Sequence, residues 1–216
     1  MIIFLDTANI EQIKEVIKLG VISGVTTNPT LVAKEGTADY ETVVKKICDL
    51  VPGSVSVEVL AEDAAGMIKE ARVKASWAPN VTIKIPSTAA GLQAISTLTK
   101  EGIETNMTLC FSLNQALLGA QAGATYVSSF VGRLDDMGYD GIELVEDIVD
   151  VFKQYELPSK VIAASIRHPL HCVAAAKAGA HIATVPYGVL LQMMYHPMTD
   201  IGVKRFLDDW KKVSQK

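Results

Sequence analysis

A strand-like segment, a loop and a helix-like segment recur in that order eight times along these 216 residues, and this alternation constrains the fold more than any other feature. Several of the strand-like segments are rich in β-branched residues. The segments between them place apolar residues on one helical face, as Val44, Ile47 and Val51 do. The predicted strands are Ile2–Asp6, Gly24–Thr27, Val55–Leu60, Val81–Ile85, Glu104–Thr108, Tyr126–Val131, Val161–Ser165 and Ile182–Val185.

Local signals mark where the helices begin and end. Ser112 with Gln115 has the pattern of a capping box, and Pro169 suits the first position of a helix. Glycines that precede strands suit helix C-terminal caps because they adopt left-handed conformations readily; they are Gly20, Gly102, Gly123 and Gly179.

Alternating β and α units predict an α/β fold with a parallel sheet, and eight units close naturally into a single (β/α)8 TIM barrel covering residues 1–216. A doubly wound open sheet is the alternative, although neither GxGxxG nor GxxxxGK[ST] occurs. An additional C-terminal helix follows the last strand. Its apolar stripe of Val203, Phe206, Leu207 and Trp210 could pack on its own barrel or on a neighbouring subunit, and the sequence leaves both open.

Composition narrows the class of protein. The chain is 49% hydrophobic and 20% charged with a net charge of -4, which is typical of a globular protein and offers no basic patch for nucleic acid. No signal peptide and no apolar run long enough for a membrane helix is apparent. Three widely spaced cysteines favour reduced thiols in a cytoplasmic protein. His168 and His171 are interpreted as a polar helix start rather than a metal site, because no third ligand lies nearby.

Strand parity places polar side chains inside the predicted barrel. The valines of Ser54–Val59 have to face the helices, so Glu58 faces inward, and the same alternation puts Lys84 inside. Asn106 and Thr108 share one face of the fifth strand. Because active sites of this fold lie at the carboxyl ends of the strands, these groups predict a site there.

Lys84 carries the chemical hypothesis. A lysine between Ile83 and Ile85 is costly to bury while charged. Burial favours the neutral amine, which is a nucleophile able to form an imine with a carbonyl compound. The alternative is a structural ion pair of Lys84 with Glu58 or Asp6.

Asp6 and Glu58 are the candidate acid–base groups beside that amine, since imine chemistry requires proton transfers at hydroxyls and at water. The alternative for Asp6 is a helix N-cap before Thr7–Asn9, and the alternative for Glu58 is an ion pair. Arg133 and Arg167 follow the sixth and seventh strands and predict a phosphate clamp. They could also be two solvated surface arginines.

Five segments together resemble the transaldolase family, in the small subgroup that also contains fructose-6-phosphate aldolases. They are LDTANI, GVTTNPTLVAKEG, VTIKIP, TNMTLCFSLNQALLGAQAGATYVSSFVGRLDD and VIAASIRHP. The resemblance runs from about Ile2 to Trp210, and the TTNP segment with the lysine strand is its most specific part.

The resemblance implies a role for each matching residue. Lys84 corresponds to the Schiff-base lysine and Asp6 to the acid–base group at the C4 hydroxyl. Glu58 corresponds to the residue that activates the catalytic water and Thr108 to the one that holds it. Positions around the dihydroxyacetone part of the substrate correspond to Thr26, Asn28, Asn106 and Ser128, and positions at its phosphate end to Ser165, Arg133 and Arg167.

Two positions bear on the reaction type. The resemblance implies transaldolase activity, because aldolases of the subgroup carry glutamine in place of Glu58 and tyrosine in place of Phe130. A tyrosine hydroxyl could deliver a proton or order a water, which phenylalanine cannot. The expected reaction transfers a dihydroxyacetone unit from sedoheptulose 7-phosphate or fructose 6-phosphate to an aldose phosphate, in the pentose phosphate pathway. The alternatives are an aldolase that releases dihydroxyacetone and a non-catalytic barrel that binds sugar phosphates.

The resemblance also bears on cofactors and assembly. No metal or organic cofactor is expected, because the protonated imine is itself the electron sink. Small members of the family form pentamer-based decamers, so a homo-oligomer is expected.

Overall fold

Eight parallel strands pair in the order in which they occur along the chain, and the first also pairs with the last, so the sheet closes into a barrel. The computed structural model describes residues 1–36 and 39–214. The strands are β1 (Ile2–Asp6), β2 (Gly24–Thr26), β3 (Val55–Glu58), β4 (Val81–Pro86), β5 (Thr105–Cys110), β6 (Tyr126–Phe130), β7 (Lys160–Ala164) and β8 (Ile182–Pro186).

Helices connect each strand to the next around the outside of the barrel, and two further helices follow the last strand. The described helices are α1 (Ile10–Ile17), α2 (Pro29–Lys34), α3 (Tyr40–Leu50), α4 (Ala64–Ala75), α5 (Ala89–Lys100), α6 (Leu113–Gln121), α7 (Val131–Asp135), α8 (Gly141–Gln154), α9 (Pro169–Lys177), α10 (Tyr187–Met194) and α11 (Pro197–Ser214).

The predicted TIM barrel and all eight predicted strands are confirmed, and the open-sheet alternative is wrong. The strand ends differ from the predicted ones by one or two residues. The third strand stops at Glu58 because the amides of Leu60 and Ala61 donate to the Glu70 carboxylate at 2.8 and 3.0 Å. The fifth continues past Thr108, and its pairing with β6 shifts register between Met107 and Cys110.

The predicted helix boundaries are also confirmed. The Ser112 hydroxyl accepts from the amide of Gln115 at 3.2 Å, and Pro169 opens α9 with His168 as its N-cap. The glycines that were expected to end helices all have left-handed backbone conformations, with φ between 67° and 94°; they are Gly20, Gly102, Gly123 and Gly179.

The barrel interior changes character along its axis. An apolar layer of Phe4, Ile162 and Ile182 fills the end where the strands begin, with Tyr126 packed against it. Above it, the interior carries Ser56 and Asn106, both fully buried. Outward-facing side chains of the strands pack under the helices and form the main core. A polar interior therefore opens towards the carboxyl ends of the strands.

Helix α11 does not pack on its own barrel. The four residues of the predicted stripe are all exposed, Phe206 by 75% and Trp210 by 69%, and none of the helix residues whose burial is described lies in the core. Packing of this stripe on the same subunit, one of the two alternatives, is therefore wrong. Within residues 1–36 and 39–214, no helix combines the length and the apolar character needed to cross a bilayer.

Candidate active site

Two adjoining cavities of about 240 and 520 Å³ lie at the carboxyl ends of the strands. They share Asn28, Lys84, Phe130, Arg133 and Arg167, so they are two lobes of one site. All the predicted site residues except Asn106 line one lobe or the other. The first lobe contains Asp6, Thr26, Ser128 and Ser165, and the second contains Glu58 and Thr108.

Lys84 lies between the two lobes with only 6% of its surface exposed. Its neighbours in the sheet are Glu58 on β3 and Asn106 on β5, so the inward parity predicted for Lys84 and Glu58 is confirmed. Its Nζ donates to Glu58 Oε2 at 3.1 Å and to the Thr27 carbonyl at 3.3 Å. The alternative of an ion pair with Glu58 is thus present, but it does not compete with a chemical role, because this pair lines the cavity.

Asp6 faces the same cavity from β1. Its Oδ1 accepts from the Thr26 hydroxyl at 2.7 Å, and the Thr184 hydroxyl lies 2.5 Å from that of Thr26. Burial raises the pKa of the Asp6 carboxyl above 3.8, against the Thr26 hydrogen bond and the attraction of Lys84, which lower it. The helix-cap alternative for Asp6 is wrong, because Asn9 caps α1.

A chain of hydroxyl groups holds the backbone around Lys84. The Glu58 amide donates to the Tyr40 hydroxyl at 3.2 Å, and that hydroxyl lies 3.0 Å from Thr27 Oγ1. Thr27 Oγ1 in turn donates to the Ser56 carbonyl at 2.8 Å. Each of the two hydroxyls has one donor and one acceptor partner, so the ends of β2 and β3 are fixed relative to each other.

Asn106 lies below the cavity rather than on its surface. Its Nδ2 donates to the Ser56 hydroxyl at 3.1 Å, and its Oδ1 accepts from the Ser128 hydroxyl at 2.7 Å. Both ends of the amide are therefore used inside the barrel. The structure gives Asn106 the position of a support for Ser128, and a direct contact of Asn106 with substrate stays a prediction.

Thr108 offers a free polar atom in the second lobe. Its Oγ1 is fully buried and has no hydrogen-bond partner within the described part of the chain. The next residue, Leu109, has a left-handed φ of 56°, which turns the chain at this point of β5. An orphaned buried hydroxyl beside a cavity is a natural place for a water molecule.

Phe130 and Arg133 form part of the wall that the two lobes share. The Phe130 ring packs edge-on against Phe111 at 5.6 Å between centroids, and the Arg133 guanidinium lies 4.9 Å from the Phe130 centroid. Arg133 belongs to the short helix α7, and Arg167 follows β7 on the neighbouring connection. Both arginines line both lobes and both are also exposed to solvent, so their position suits a phosphate clamp, while the clamp itself stays a prediction.

The loop after β7 is strained where it meets the site. Ser165 has a φ of 58°, a region that costs a non-glycine residue of the order of 1 kcal/mol. The Arg167 guanidinium forms an exposed ion pair with the Asp136 carboxylate at 2.7 Å. Strain of this kind persists only where surrounding contacts impose it, and it is common at functional sites.

Thr184, Tyr40 and Lys34 are among the residues at the site that were not foreseen from the sequence. Thr184 could have been found by strand parity, because it alternates with the core-facing Ala183 and Val185. Tyr40 and Lys34 lie on helices that enter the site after β2, and no local pattern marks them.

Among residues 1–36 and 39–214, no group of three or more His, Cys, Asp or Glu side chains could hold a metal ion. The thiols of Cys48 and Cys110 do not take part in the site, and burial raises the pKa of each to about 11.

Comparison with known proteins identifies a family that this chain matches. The family model described as Transaldolase/Fructose-6-phosphate aldolase matches residues 3–216. Proteins described as "Probable transaldolase" from Dehalococcoides mccartyi and Desulforudis audaxviator are 66% and 60% identical, each over the whole of both chains. One from a Thermoanaerobacter species is 58% identical, over 99% of this chain and 98% of the other.

A solved structure supports the fold independently of sequence. The structure described as "Native KDPGal structure" aligns with a TM-score of 0.61 at 13% identity, covering 85% of this chain and 81% of that one. At this identity the likeness concerns the barrel alone.

Proposed function

Because the chain belongs to the transaldolase/fructose-6-phosphate aldolase family, we propose that it is a transaldolase. It transfers a dihydroxyacetone unit from a ketose phosphate, sedoheptulose 7-phosphate or fructose 6-phosphate, to an aldose phosphate, glyceraldehyde 3-phosphate or erythrose 4-phosphate. The observation that carries this is Lys84 Nζ, which lies inside a polar barrel mouth between Glu58 and Asp6. An amine in this setting can form an imine with a ketone.

The chemistry divides between the two carboxylates. The Lys84 amine attacks the substrate ketone, and the carbinolamine loses water to give a protonated imine. Glu58 and Thr108 lie in the lobe where this water would be held and activated. Asp6 then takes the proton of the C4 hydroxyl while the C3–C4 bond breaks and its electrons move onto the imine. The aldose phosphate leaves, and the retained three-carbon unit adds to the next aldehyde by the reverse steps.

The phosphate end of the substrate is assigned to Arg133 and Arg167. Guanidinium groups match phosphate oxygens in a bidentate manner, and phosphate sites of this fold often lie after the last strands. Ser165 adds a hydroxyl at the same edge of the first lobe. Thr26, Asn28 and Ser128 line the lobe nearer Lys84 and are assigned to the dihydroxyacetone unit.

Transfer is favoured over release because of Glu58 and Phe130. Phe130 presents an apolar ring to the cavity, packed against Phe111. Such a wall has no hydroxyl that could protonate the three-carbon unit and allow it to hydrolyse. The dihydroxyacetone unit is therefore retained until an acceptor arrives.

The test is the dependence of turnover on an acceptor. With fructose 6-phosphate alone we expect little turnover, and with erythrose 4-phosphate added we expect fast formation of glyceraldehyde 3-phosphate. Phe130→Tyr, which introduces a hydroxyl, is expected to raise acceptor-independent release of dihydroxyacetone by about tenfold or more. Coupled assays of free dihydroxyacetone and of glyceraldehyde 3-phosphate measure the two rates separately.

Phe111→Tyr is the matched control for this experiment. It adds the same hydroxyl to the partner ring, which does not line either lobe, so release should stay at the wild-type level. Strong release of dihydroxyacetone by the wild type without acceptor would identify an aldolase and refute the transferase proposal.

The proposal includes assembly and location. Helix α11 exposes large apolar side chains, as subunit interfaces do before assembly; they include Met198, Ile201, Val203, Phe206, Leu207 and Val213. A homo-oligomer that is a pentamer-based decamer would cover this face. A cytoplasmic location suits the three unpaired cysteines.

Light scattering tests the assembly. We expect the mass of ten copies of a 23.2 kDa chain, and we expect Phe206→Glu to produce smaller species because a charge would be buried in the contact. Tyr155→Glu, at a similarly exposed aromatic that caps the end of α8 instead, should leave the mass unchanged. A monomeric wild type would contradict this part of the proposal.

A further inference from the structure

A hydrogen-bonded cluster outside the cavity joins the connection that carries Arg167 to the helices on either side of it. It consists of Asp135 at the end of α7, Gly141 at the start of α8, and His171 in the first turn of α9. None of these residues lines either lobe of the site. The cluster nevertheless contacts the backbone of Arg167, and Arg167 lines both lobes.

His171 is the centre of the cluster and is 9% exposed. Its Nδ1 accepts from the backbone amide of Arg167 at 3.3 Å, and its Nε2 lies 3.0 Å from Asp135 Oδ2. The other carboxylate oxygen of Asp135 accepts from the Gly141 amide at 3.0 Å. Only the neutral imidazole with its proton on Nε2 satisfies both contacts, because Nδ1 has to accept while Nε2 donates.

The same connection is held from the side of α7. The Ser165 carbonyl accepts from the Gly132 amide at 3.1 Å. A Cβ on residue 132 would lie 2.3 Å from that carbonyl oxygen and 2.7 Å from Arg167 Cγ, so only glycine permits the approach. The backbone from Ser165 to Arg167 therefore runs between two fixed supports, Gly132 and His171.

The Arg167 side chain itself is held only weakly. Its ion pair with Asp136 is more than half exposed on both sides, and exposed pairs of this kind contribute little. An incoming phosphate can replace the Asp136 carboxylate at small cost. The backbone position is thus the main constraint on where the guanidinium can reach.

We propose that His171, oriented by Asp135, is a positioning residue that fixes Arg167 for the phosphate group of the substrate. The proposal rests on the phosphate-binding role assigned to Arg167 above and adds what holds that residue in place. His171 does not touch the substrate. Its loss should therefore weaken the grip on phosphate and leave the chemistry at Lys84 unchanged.

Two amide substitutions separate the two contacts of the ring. Asn places its oxygen close to the position of Nδ1, and Gln places its amide close to the position of Nε2. His171→Asn retains an acceptor for the Arg167 amide, whereas His171→Gln loses it. Asp135→Asn is a third variant, because an amide NH2 opposite Nε2 favours the tautomer with its proton on Nδ1, facing the Arg167 N–H.

The first measurement is calorimetric titration with inorganic phosphate, which requires no turnover. We expect His171→Gln and Asp135→Asn to bind phosphate about fivefold to tenfold more weakly than the wild type, the effect of losing about one hydrogen bond. His171→Asn should recover most of the affinity. The second measurement varies the acceptor at saturating donor: KM for erythrose 4-phosphate should rise by the same factor with kcat within about twofold, and kcat/KM for unphosphorylated erythrose should not change.

His168→Gln is the control for a merely structural effect. His168 is the N-cap of α9 and contacts the His171 amide at 3.3 Å, so its loss should lower the unfolding midpoint but not the phosphate affinity. Equal phosphate binding by the wild type and His171→Gln, or an equal loss of activity towards erythrose and its phosphate, would overturn the inference. Failure of acceptor-dependent transfer in the wild type would instead overturn the proposed function and leave the phosphate titration interpretable.

Discussion

Lys84→Ala is expected to reduce turnover by at least about a thousandfold, since it removes the nucleophile on which every later step depends. The fold should survive, because the carboxylate left behind, Glu58, borders an open cavity where water can solvate it. Treatment of the wild type with substrate and borohydride should add the mass of the reduced three-carbon unit at Lys84. Mass spectrometry of the digested protein checks both the adduct and its position.

Lys74→Ala provides a matched control for this prediction. Lys74 is as buried as Lys84, at 8% against 6%, and is also paired to a glutamate, Glu70 at 2.9 Å. It lies on α4 outside both lobes of the site, so its removal should leave turnover and borohydride labelling intact. Normal turnover by Lys84→Ala would refute the Schiff-base mechanism, whereas no adduct on the wild-type lysine would favour the alternative of a barrel that only binds sugar phosphates.

The inward position of Lys84 was predictable because its strand has a simple alternation. Ile83 and Ile85 can only face the helices, so the residue between them has one remaining direction. The same reasoning placed Glu58 between valines. The alternation is harder to recognise in β8, because Ile182 and Ala183 are both apolar although they face opposite sides of the sheet. The inward position of Thr184 was therefore not recognised.

Contacts between distant segments were not predictable from any local pattern. Tyr40 reaches Glu58 across 18 residues of sequence, and His171 reaches Asp135 from a different helix. Asn106 was foreseen to face inward, but strand alternation does not give the depth of a side chain along the barrel axis. The structure places Asn106 below the cavity, with both ends of its amide hydrogen-bonded. Periodicity gives the face of an element that a residue is on, whereas hydrogen-bond partners depend on how the elements pack.

Asp6→Asn is expected to lower kcat by about a hundredfold to ten-thousandfold, the usual contribution of a positioned acid–base group. The carbon–carbon bond should break slowly, while Lys84 should still form the imine. Borohydride should therefore still label Lys84 in this variant, which Lys84→Ala cannot show. Loss of labelling in Asp6→Asn would assign Asp6 to imine formation instead.

The pH dependence of kcat/KM gives a second readout for Asp6. Because burial raises the pKa of its carboxyl, the base form is lost at a higher pH than for an exposed aspartate with its pKa of 3.8. As the pH falls through this raised pKa, kcat/KM of the wild type should fall. The residual activity of Asp6→Asn should lack this acidic limb, and an unchanged limb would show that another group titrates there.

As the pH rises, the contribution of Asp6 to the stability of the fold should fall while its contribution to activity increases. A carboxyl whose pKa is higher in the folded than in the unfolded protein binds more protons when folded, so its effect on the free energy of unfolding becomes less favourable as the pH rises from 3.8 through the folded pKa. At neutral pH the ionised Asp6 therefore destabilises the fold. Asparagine keeps an oxygen for the Thr26 hydroxyl without the charge, so Asp6→Asn should have a higher thermal midpoint than the wild type at pH 7 and lose that advantage below pH 3.8. An equal or lower midpoint at pH 7 would contradict the view that Asp6 is kept ionised in a buried place for the sake of catalysis.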